Sequence, residues 1–343
     1  MSNLPKIGID IGSASIKMVE LVPAGKDKWK LAAAASAVVP VGGISGGASN
    51  QAAITSSMVK IIKEAGMRSK RAVVALPEDQ ISSHVVEMPA MSDNEVEQAL
   101  QWQVEQYIPI PADQAVWSYQ IIRRDQPGNG AGGMEVLLAA AAKRLVETYS
   151  QVVEQAGLEV VAMETELMAT ARSVIPGGSP PAMVVDIGAR STDVGVVLGG
   201  QLVFARTIPT AGQAFTRAIE TGLGLDTKQA EQYRNAYGFS KEQLQGKLLT
   251  VMKPVLTLIA TEIKKTIDFY VSKHSDVVIG LVVLSGGIAV LPDVVGALSQ
   301  LLGFEVTVGN PFSRVEMDES QKKQLMEGGP FYSVSLGLSM RDA

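Results

Sequence analysis

The chain has 343 residues, 46% hydrophobic and 19% charged, with a net charge of −5 and an isoelectric point near 5.3; that is enough for two domains with full cores, and an acidic chain without aromatic-basic interleaving excludes a nucleic-acid partner. With no cysteine, disulfides, thiolate metal sites and cysteine nucleophiles are excluded. The two histidines, His84 and His274, lie too far apart for a histidine-rich metal site or an ordinary Ser-His-Asp triad, and both are expected at the surface or a strand edge.

Residues 6–21, KIGIDIGSASIKMVEL, open the predicted elements. An apolar β-branched run, a tight small-residue turn and an alternating run predict a β-hairpin with a polar tip. The tip offers the Asp10 carboxylate, Gly12, the hydroxyls of Ser13 and Ser15 either side of Ala14, free backbone N–H groups, and Lys17 on the outgoing strand. These suit a phosphate with a metal ion: N–H groups and hydroxyls face the oxygens, Lys17 supplies a point charge, and Asp10 holds Mg2+ through water. A short glycine turn between strands is common on its own, so the weight falls on its recurrence further along.

Residues 29–39 read as a third strand, 41–49 as a mobile Gly/Ser-rich loop, and 71–77 as a buried strand. Between them, 50–65 form a helix with Ile54, Met58, Ile61 and Ile62 at helical spacing and Gly66 as its stop. From residue 82 the chain inserts an α+β module. Residues 85–88 are strand-like, and Ser92 to Glu95 is a capping box opening a helix striped by Val96, Leu100, Val104 and Tyr107 and ended at Ile108 to Pro111. Strands at 116–123 and 134–142 flank a Gly-rich turn, and a helix at 144–156 leads to a strand at 159–163. Trp102, Trp117 and Tyr119 fall together here in a chain with only 5% aromatics, which favours a binding surface over mere decoration of a large domain.

Residues 165–174 form the helix joining the two halves, and then the first pattern returns at 183–197, MVVDIGARSTDVGVV. A loop duplicated half a chain apart implies two like domains facing each other, each offering an aspartate and a phosphate-cradling turn to a cleft. A strand at 201–208, a helix at 210–220, a polar helix at 227–237 ended by Gly238, and a long helix at 246–272 follow. The long helix carries Val251, Val255, Ile259, Ile263, Ile267 and Tyr270 on one face. On its other side Glu262 and Lys265 stand one turn apart, which by itself describes a solvated ion pair. Residues 281–295, LVVLSGGIAVLPDVV, run from a buried strand into paired glycines and a helix starting near Leu291. Residues 330–340 close the chain as a helix in which Gly337 allows close packing.

DIGSASIK, DIGARST and LSGGIAVLPDV, in this order over nearly the whole chain, resemble the phosphate-1, phosphate-2 and adenosine motifs of the actin, Hsp70 and sugar-kinase superfamily. The resemblance implies an α/β, actin-like ATPase fold: two lobes of duplicated RNase H-like domains with an inserted α+β subdomain. It implies subdomain 1A at 1–82, the inserted subdomain 1C at 83–163, a connecting helix and return to lobe 1 at 164–181, and a second lobe (2A and 2B) at 182–343, with 330–341 packing back on lobe 1. ATP or ADP with Mg2+ would lie between Gly12, Ser13, Ala14, Ser15 and Lys17 on one side and Gly188, Ala189, Arg190 and Ser191 on the other. Gly286, Gly287 and Ile288 would meet the adenosine, Glu262 and Lys265 the ribose and adenine, and Asp10 and Asp186 the metal. In the connect-1 segment ELMAT, Glu166 is the first choice for orienting the attacking water and Glu164 the reserve, with Asp10 the third catalytic residue. The plain alternative for Glu166 is a solvated glutamate at a helix N-terminus, where the dipole favours it. Arg190 stands where a glycine would be usual; it either slows or reshapes hydrolysis or points to solvent.

Within the superfamily the sequence resembles the PilM family of type IV pilus assembly, relatives of the division protein FtsA. Residues 97–111, EQALQWQVEQYIPIP, resemble the signature helix and Ile-Pro turn of 1C, and 308–312, VGNPF, the late Asn-Pro turn. The sequence DIGARST lacks the second and third glycines of the usual phosphate-2 pattern, and the chain ends without the membrane-targeting helix expected of an FtsA-like protein. No signal sequence opens it, and no apolar run approaches the roughly 20 residues that span a bilayer. The resemblance therefore implies a cytoplasmic ATP-binding adaptor, peripheral to the inner membrane through a partner. Its partner would be the N-terminal tail of PilN, docked in a groove bordered by 1A and 1C with Trp102 and Tyr107 as groove residues, and pilus platform and motor proteins would be further partners. Homo-oligomerisation is left open. The alternatives are an FtsA-like filament-forming protein and a small-molecule kinase of the same fold; the kinase needs a catalytic aspartate and a polar sugar pocket, for which no motif is present.

Overall fold

The computed structural model describes residues 4–124 and 132–341, apart from the side chains of Trp102 and Gln103. Strands β1 (Lys6–Ile11), β2 (Ser15–Gly25) and β3 (Lys28–Val38), helix α1 (Ala48–Glu64) and strand β4 (Arg71–Leu76) begin the first lobe. The inserted module follows as β5 (Ser82–Pro89), α2 (Asp93–Tyr107), β6 (Ala115–Arg124) and β7 (Gly133–Ala142), and α3 (Lys143–Gln155) with β8 (Glu159–Thr165) returns to the first lobe. Helix α4 (Glu166–Val174) crosses to the second lobe, made of β9 (Ala182–Ile187), β10 (Thr192–Leu198), β11 (Gln201–Ile208), α5 (Gly212–Leu223), α6 (Thr227–Tyr237), α7 (Lys247–Lys273), β12 (Leu281–Ser285), α8 (Val294–Leu302) and β13 (Glu305–Val308). The chain then turns back through β14 (Val315–Glu316), α9 (Glu319–Leu325) and α10 (Ser333–Ser339).

A six-stranded sheet runs β14-β3-β2-β1-β4-β8 and a five-stranded sheet β11-β10-β9-β12-β13. Without β14 the two have one topology: an antiparallel meander whose first strand also pairs in parallel with a later one. The duplication inferred from two short turns is thus a duplication of whole sheets. All six residues of β1 are buried, as expected of a central strand covered on both faces. The inserted three-stranded sheet, β5-β7-β6, packs α2 through Val96, Leu100 and Val104 against Val86, Val136 and Leu138.

Several expectations need correcting. Helix α3 and strand β8 do not belong to the insertion: Tyr149, Val152 and Val153 pack into the first lobe's core and β8 pairs in parallel with β4, so the module ends with β7 and not at residue 163. The reason is topological, since a parallel neighbour of β4 needs a crossover helix and α3 is that helix. Helix α8 starts three residues beyond Leu291, after Asp293 in the left-handed region at φ 57°. Along the first half of α7 the buried stripe is Leu248, Met252 and Leu256, with Val251 and Val255 only partly covered. His274 is buried, its ring stacked 4.3 Å from that of Tyr270, whereas His84 is exposed on the edge strand β5. The Asn50 amide of α1 donates to the carbonyls of Val41 and Gly43 in the Gly/Ser-rich segment before that helix. The Gly-rich turn between β6 and β7 lies outside the described residues. Among the described residues, no helix is long and apolar enough to cross a membrane.

Helix α10 is wedged backbone to backbone between α4 and β1. A Cβ on Gly337 would stand 1.8 Å from the Ala169 carbonyl oxygen, and one on Gly8 1.9 Å from that of Ser335. Neither carbonyl can move without breaking its own element. Gly337→Ala is therefore expected to destabilise the protein by about 3 kcal/mol, while Gly296→Ala on α8, where the added methyl meets nothing within 4 Å, should be neutral or gain up to about 1 kcal/mol. Urea unfolding of both variants checks the contrast.

Candidate functional site

The two hairpin tips share one geometry. Gly12 N–H donates to Ser15 O and Gly188 N–H to Ser191 O, each at 3.0 Å. Antiparallel register then sets Lys17 opposite Asp10 in the first hairpin and Asp193 opposite Asp186 in the second. The same position thus carries opposite charge in the two copies. Lys17 Nζ donates to Asp10 Oδ2 at 2.8 Å and lies 4.7 Å from the centroid of the Phe331 ring. Asp10 is 3% exposed, and its Oδ1 has no hydrogen-bond partner. Asp193, with no lysine opposite, accepts from Ser191 Oγ at 3.0 Å and Thr207 Oγ1 at 2.7 Å. Asp186 accepts from Thr170 Oγ1 of α4 at 3.4 Å and from the Ser285 hydroxyl at the end of β12.

Glu166 opens α4, whose N-cap is Thr165. Its Oε2 accepts from the Glu78 N–H at 3.3 Å, and the Glu78 carboxylate accepts from the Leu167 N–H at 3.1 Å. Burial, then repulsion from Asp10, Asp193 and Asp186, holds the Glu166 carboxyl well above the usual range. Burial pushes Asp186 up to about 6, Glu78 to about 7 and Asp193 to about 8, with neighbouring carboxylates adding to each. Burial pulls Lys17 down, but Asp10, Glu166 and Asp186 outweigh it and its pKa is raised. One ammonium thus faces a group of carboxylates at the junction of the lobes. Such a cluster fits a cation, and Asp10 Oδ1 is an acceptor with nothing yet to accept. Among the described residues no three acids are arranged to cage a metal by themselves, so the arrangement fits an ion like Mg2+ that keeps waters and takes phosphate oxygens.

The other candidates divide. Ser13 and Ala14 are exposed at the first tip, Arg190 is exposed at the second between Ala189 and Ser191, and Gly287 is exposed beyond β12. Gly286 has φ +82°, and a Cβ there would fall 2.6 Å from Asp186 Oδ1, so only glycine lets this turn lie against the second hairpin. Ile288 is 3% exposed and belongs to the second lobe's core, so its side chain does not reach an open surface. Glu262 accepts from Lys265 at 2.7 Å and from Arg206 at 2.7 Å, and Lys265, then Arg206, holds its carboxyl below the usual range. Glu164 does not face a water site: its carboxylate accepts from both Nη atoms of Arg172 and, at 3.0 Å, from Arg341, which makes it a clamp between β8, α4 and the chain end. The Trp102 side chain lies outside the described residues, and Tyr107 is half-buried against the inserted core, 6.4 Å from the His84 ring.

Four residues escaped the sequence reading: Glu78, Asp193, Arg206 and Phe331. Asp193 had a signal, since it follows Asp186 by the same offset as Lys17 follows Asp10. The other three are far in sequence from what they touch and lie in no motif.

Two lobes of one topology, an aspartate-bearing hairpin from each and a crossing helix that carries a glutamate define an actin-like ATPase fold. A family model described as Type IV pilus assembly protein PilM matches residues 8–343, and the chain belongs to that family. A chain of the PilM-PilN type IV pilus biogenesis complex is 26% identical, at a TM-score of 0.84 over 99% of both chains. The cell division protein FtsA of Pseudomonas aeruginosa is 25% identical over 383 residues, 97% of this chain and 88% of its own length. MreB 5 of Spiroplasma citri, in a crystal structure bound to AMPPNP, shares the fold at a TM-score of 0.56 and 12% identity, over 99% of this chain and 96% of that one.

The raised carboxylates keep protons in the folded, ligand-free protein that the unfolded chain releases near pH 4. Their contribution to stability is therefore full below that pH and is lost as pH rises through about 6 to about 8. Asp193→Asn keeps an acceptor for Thr207 and removes one ionisation, so it should raise stability near pH 8 by on the order of 1 to 2 kcal/mol and leave it unchanged near pH 4. Thermal melts across that range check this; a slope identical to the parent's contradicts it.

Proposed function

We propose that the protein binds ATP, or ADP, with Mg2+ between its lobes and, in the closed form, holds the N-terminal tail of PilN in a groove between the first lobe and the inserted module. The reading is carried by one observation: Asp10, Lys17, Glu166 and Asp186 act on each other electrostatically, with one buried carboxylate oxygen left without a partner. In this reading the module runs from β5 to β7 as subdomain 1C, the rest of the first lobe is 1A, and β9 to β13 belong to 2A and 2B.

The turns at Gly12 to Ser15 and Gly188 to Ser191 offer backbone N–H groups and hydroxyls to the phosphates from either side, and Lys17 adds an ammonium within the acid cluster. Asp10 and Asp186 would hold the ion, and Mg2+ bound there would draw negative charge from the terminal phosphates. Glu166, on the rigid start of α4, orients the attacking water. Occupancy matters even without fast turnover: free ATP at 100 to 1,000 times its dissociation constant stabilises the closed form by roughly 3 to 4 kcal/mol.

The similarity to the chain of the PilM-PilN complex supports the adaptor role. A disordered tail loses conformational entropy on docking, so a pre-formed apolar groove suits it. The FtsA similarity supports a second reading, an ATP-dependent filament with direct membrane binding. Sedimentation with ATP and with liposomes separates them, since the adaptor needs PilN to reach a membrane.

Asp10→Ala and Lys17→Ala are each expected to weaken binding of a fluorescent ATP analogue at least about tenfold, and Glu166→Ala to change it less than about threefold while lowering hydrolysis. Titration of the analogue tests the cleft. Titration of the nucleotide-loaded protein with a synthetic PilN tail tests the adaptor; no measurable binding of the tail would remove that role.

A further inference from the structure

Glu78 is 4% exposed, bears a carboxylate and lies outside every motif. It follows β4 at the first position of a short 3-10 turn, Glu78–Gln80, and β5 starts at Ser82. Its carboxylate caps α4 from outside, accepting from the Leu167 N–H and the Thr165 hydroxyl, while its own N–H donates to Glu166 Oε2. Hydrogen bonds of opposite sense, accepted by the Glu78 side chain and donated by its backbone, therefore join this turn to the start of α4. The turn is itself closed, by Gln80 N–H to Pro77 O and Ile81 N–H to Glu78 O. Beyond it β5 pairs with β7 along its whole length, from Ser82 opposite Ala140 to Pro89 opposite Gly133. No flexible linker separates Glu78 from the inserted sheet, so a rotation of that sheet reaches the Glu166 carboxylate through a few residues of hydrogen-bonded backbone.

We propose that Glu78 is a positioning residue for Glu166 and the link by which the inserted module and the nucleotide cleft bias each other. This rests on the reading of the cleft as a nucleotide site. When nucleotide bound in the cleft fixes the position of Glu166, the Glu78 turn is fixed with it and the start of β5 is held; when a partner shifts the inserted sheet, Glu166 is re-aimed. Affinity for nucleotide, set by the two hairpins, is not carried by Glu78.

The test uses the full-length protein with Glu78→Gln, which keeps an acceptor for Leu167, and Glu78→Ala, which does not. Binding of a fluorescent ATP analogue and amide hydrogen exchange of residues 82–107 are measured with and without Mg-ATP, with thermal melts of the free proteins as the control for folding. In the parent and in Glu78→Gln, Mg-ATP should slow exchange across β5 and α2 at least about threefold, whereas in Glu78→Ala that protection should vanish while analogue affinity stays within about twofold. Any ATP turnover should fall with Glu78→Ala in kcat and not in KM, and a Glu78→Ala/Glu166→Ala double variant should be no slower than Glu166→Ala alone. Protection of β5 and α2 retained in Glu78→Ala, or absent from the parent while the analogue binds, overturns the link and leaves the nucleotide site standing. Failure of the parent to bind the analogue removes both.

Discussion

A surplus of buried negative charge at the meeting of the lobes is the constraint to which the rest of the molecule answers. Asp10, Asp186, Asp193 and Glu166 lie within electrostatic reach of one another or of the Lys17 ammonium. Burial makes charged carboxylates costly, and packing several together multiplies the cost, so without ligand the cluster retains protons. A sequence selected for stability alone would have placed amides or apolar groups here. In the proposed reading, a cation and the phosphates it accompanies complete the charge balance.

The duplicated sheets show how one hairpin is adapted to two tasks. Both tips close through the same glycine N–H bond and both present an aspartate at the end of a central strand. They diverge at the residue across the ladder. In the first copy Lys17 pairs with Asp10 Oδ2 and leaves Oδ1 without a partner; in the second, Asp193 accepts from the hydroxyls of Ser191 and Thr207. A lysine in both copies would have paired both aspartates, and an aspartate in both would have left the group without the Lys17 ammonium.

The sequence was most informative where local physics decides the outcome. The β-β-β-α-β order, the capping box at Ser92 and Glu95, the stripe of α2 and the two aspartate turns follow from period, caps and turn chemistry, and the coordinates contain them. The end of the insertion was illegible because β8 joins a strand on the far side of the whole inserted module, a pairing that no local pattern encodes. Glu164 and Glu166 are chemically alike and two residues apart, one near the end of a strand and the other opening a helix; only the arrival of Arg341 at one and of the Glu78 turn at the other tells them apart. Arg206 and Phe331 were missed for the same reason, their roles being set by what packs opposite.

Where closure occurs is also constrained by packing. Helix α10 touches β1 and α4 backbone to backbone, with no side chains between to repack, and Glu164 ties α4 to the chain end through Arg172 and Arg341. Interfaces of this kind cannot slide by a fraction of a side chain, because every intermediate position brings carbonyl oxygens into collision. Shear along this seam is therefore blocked, and any relative movement of the lobes has to leave these backbone contacts in place.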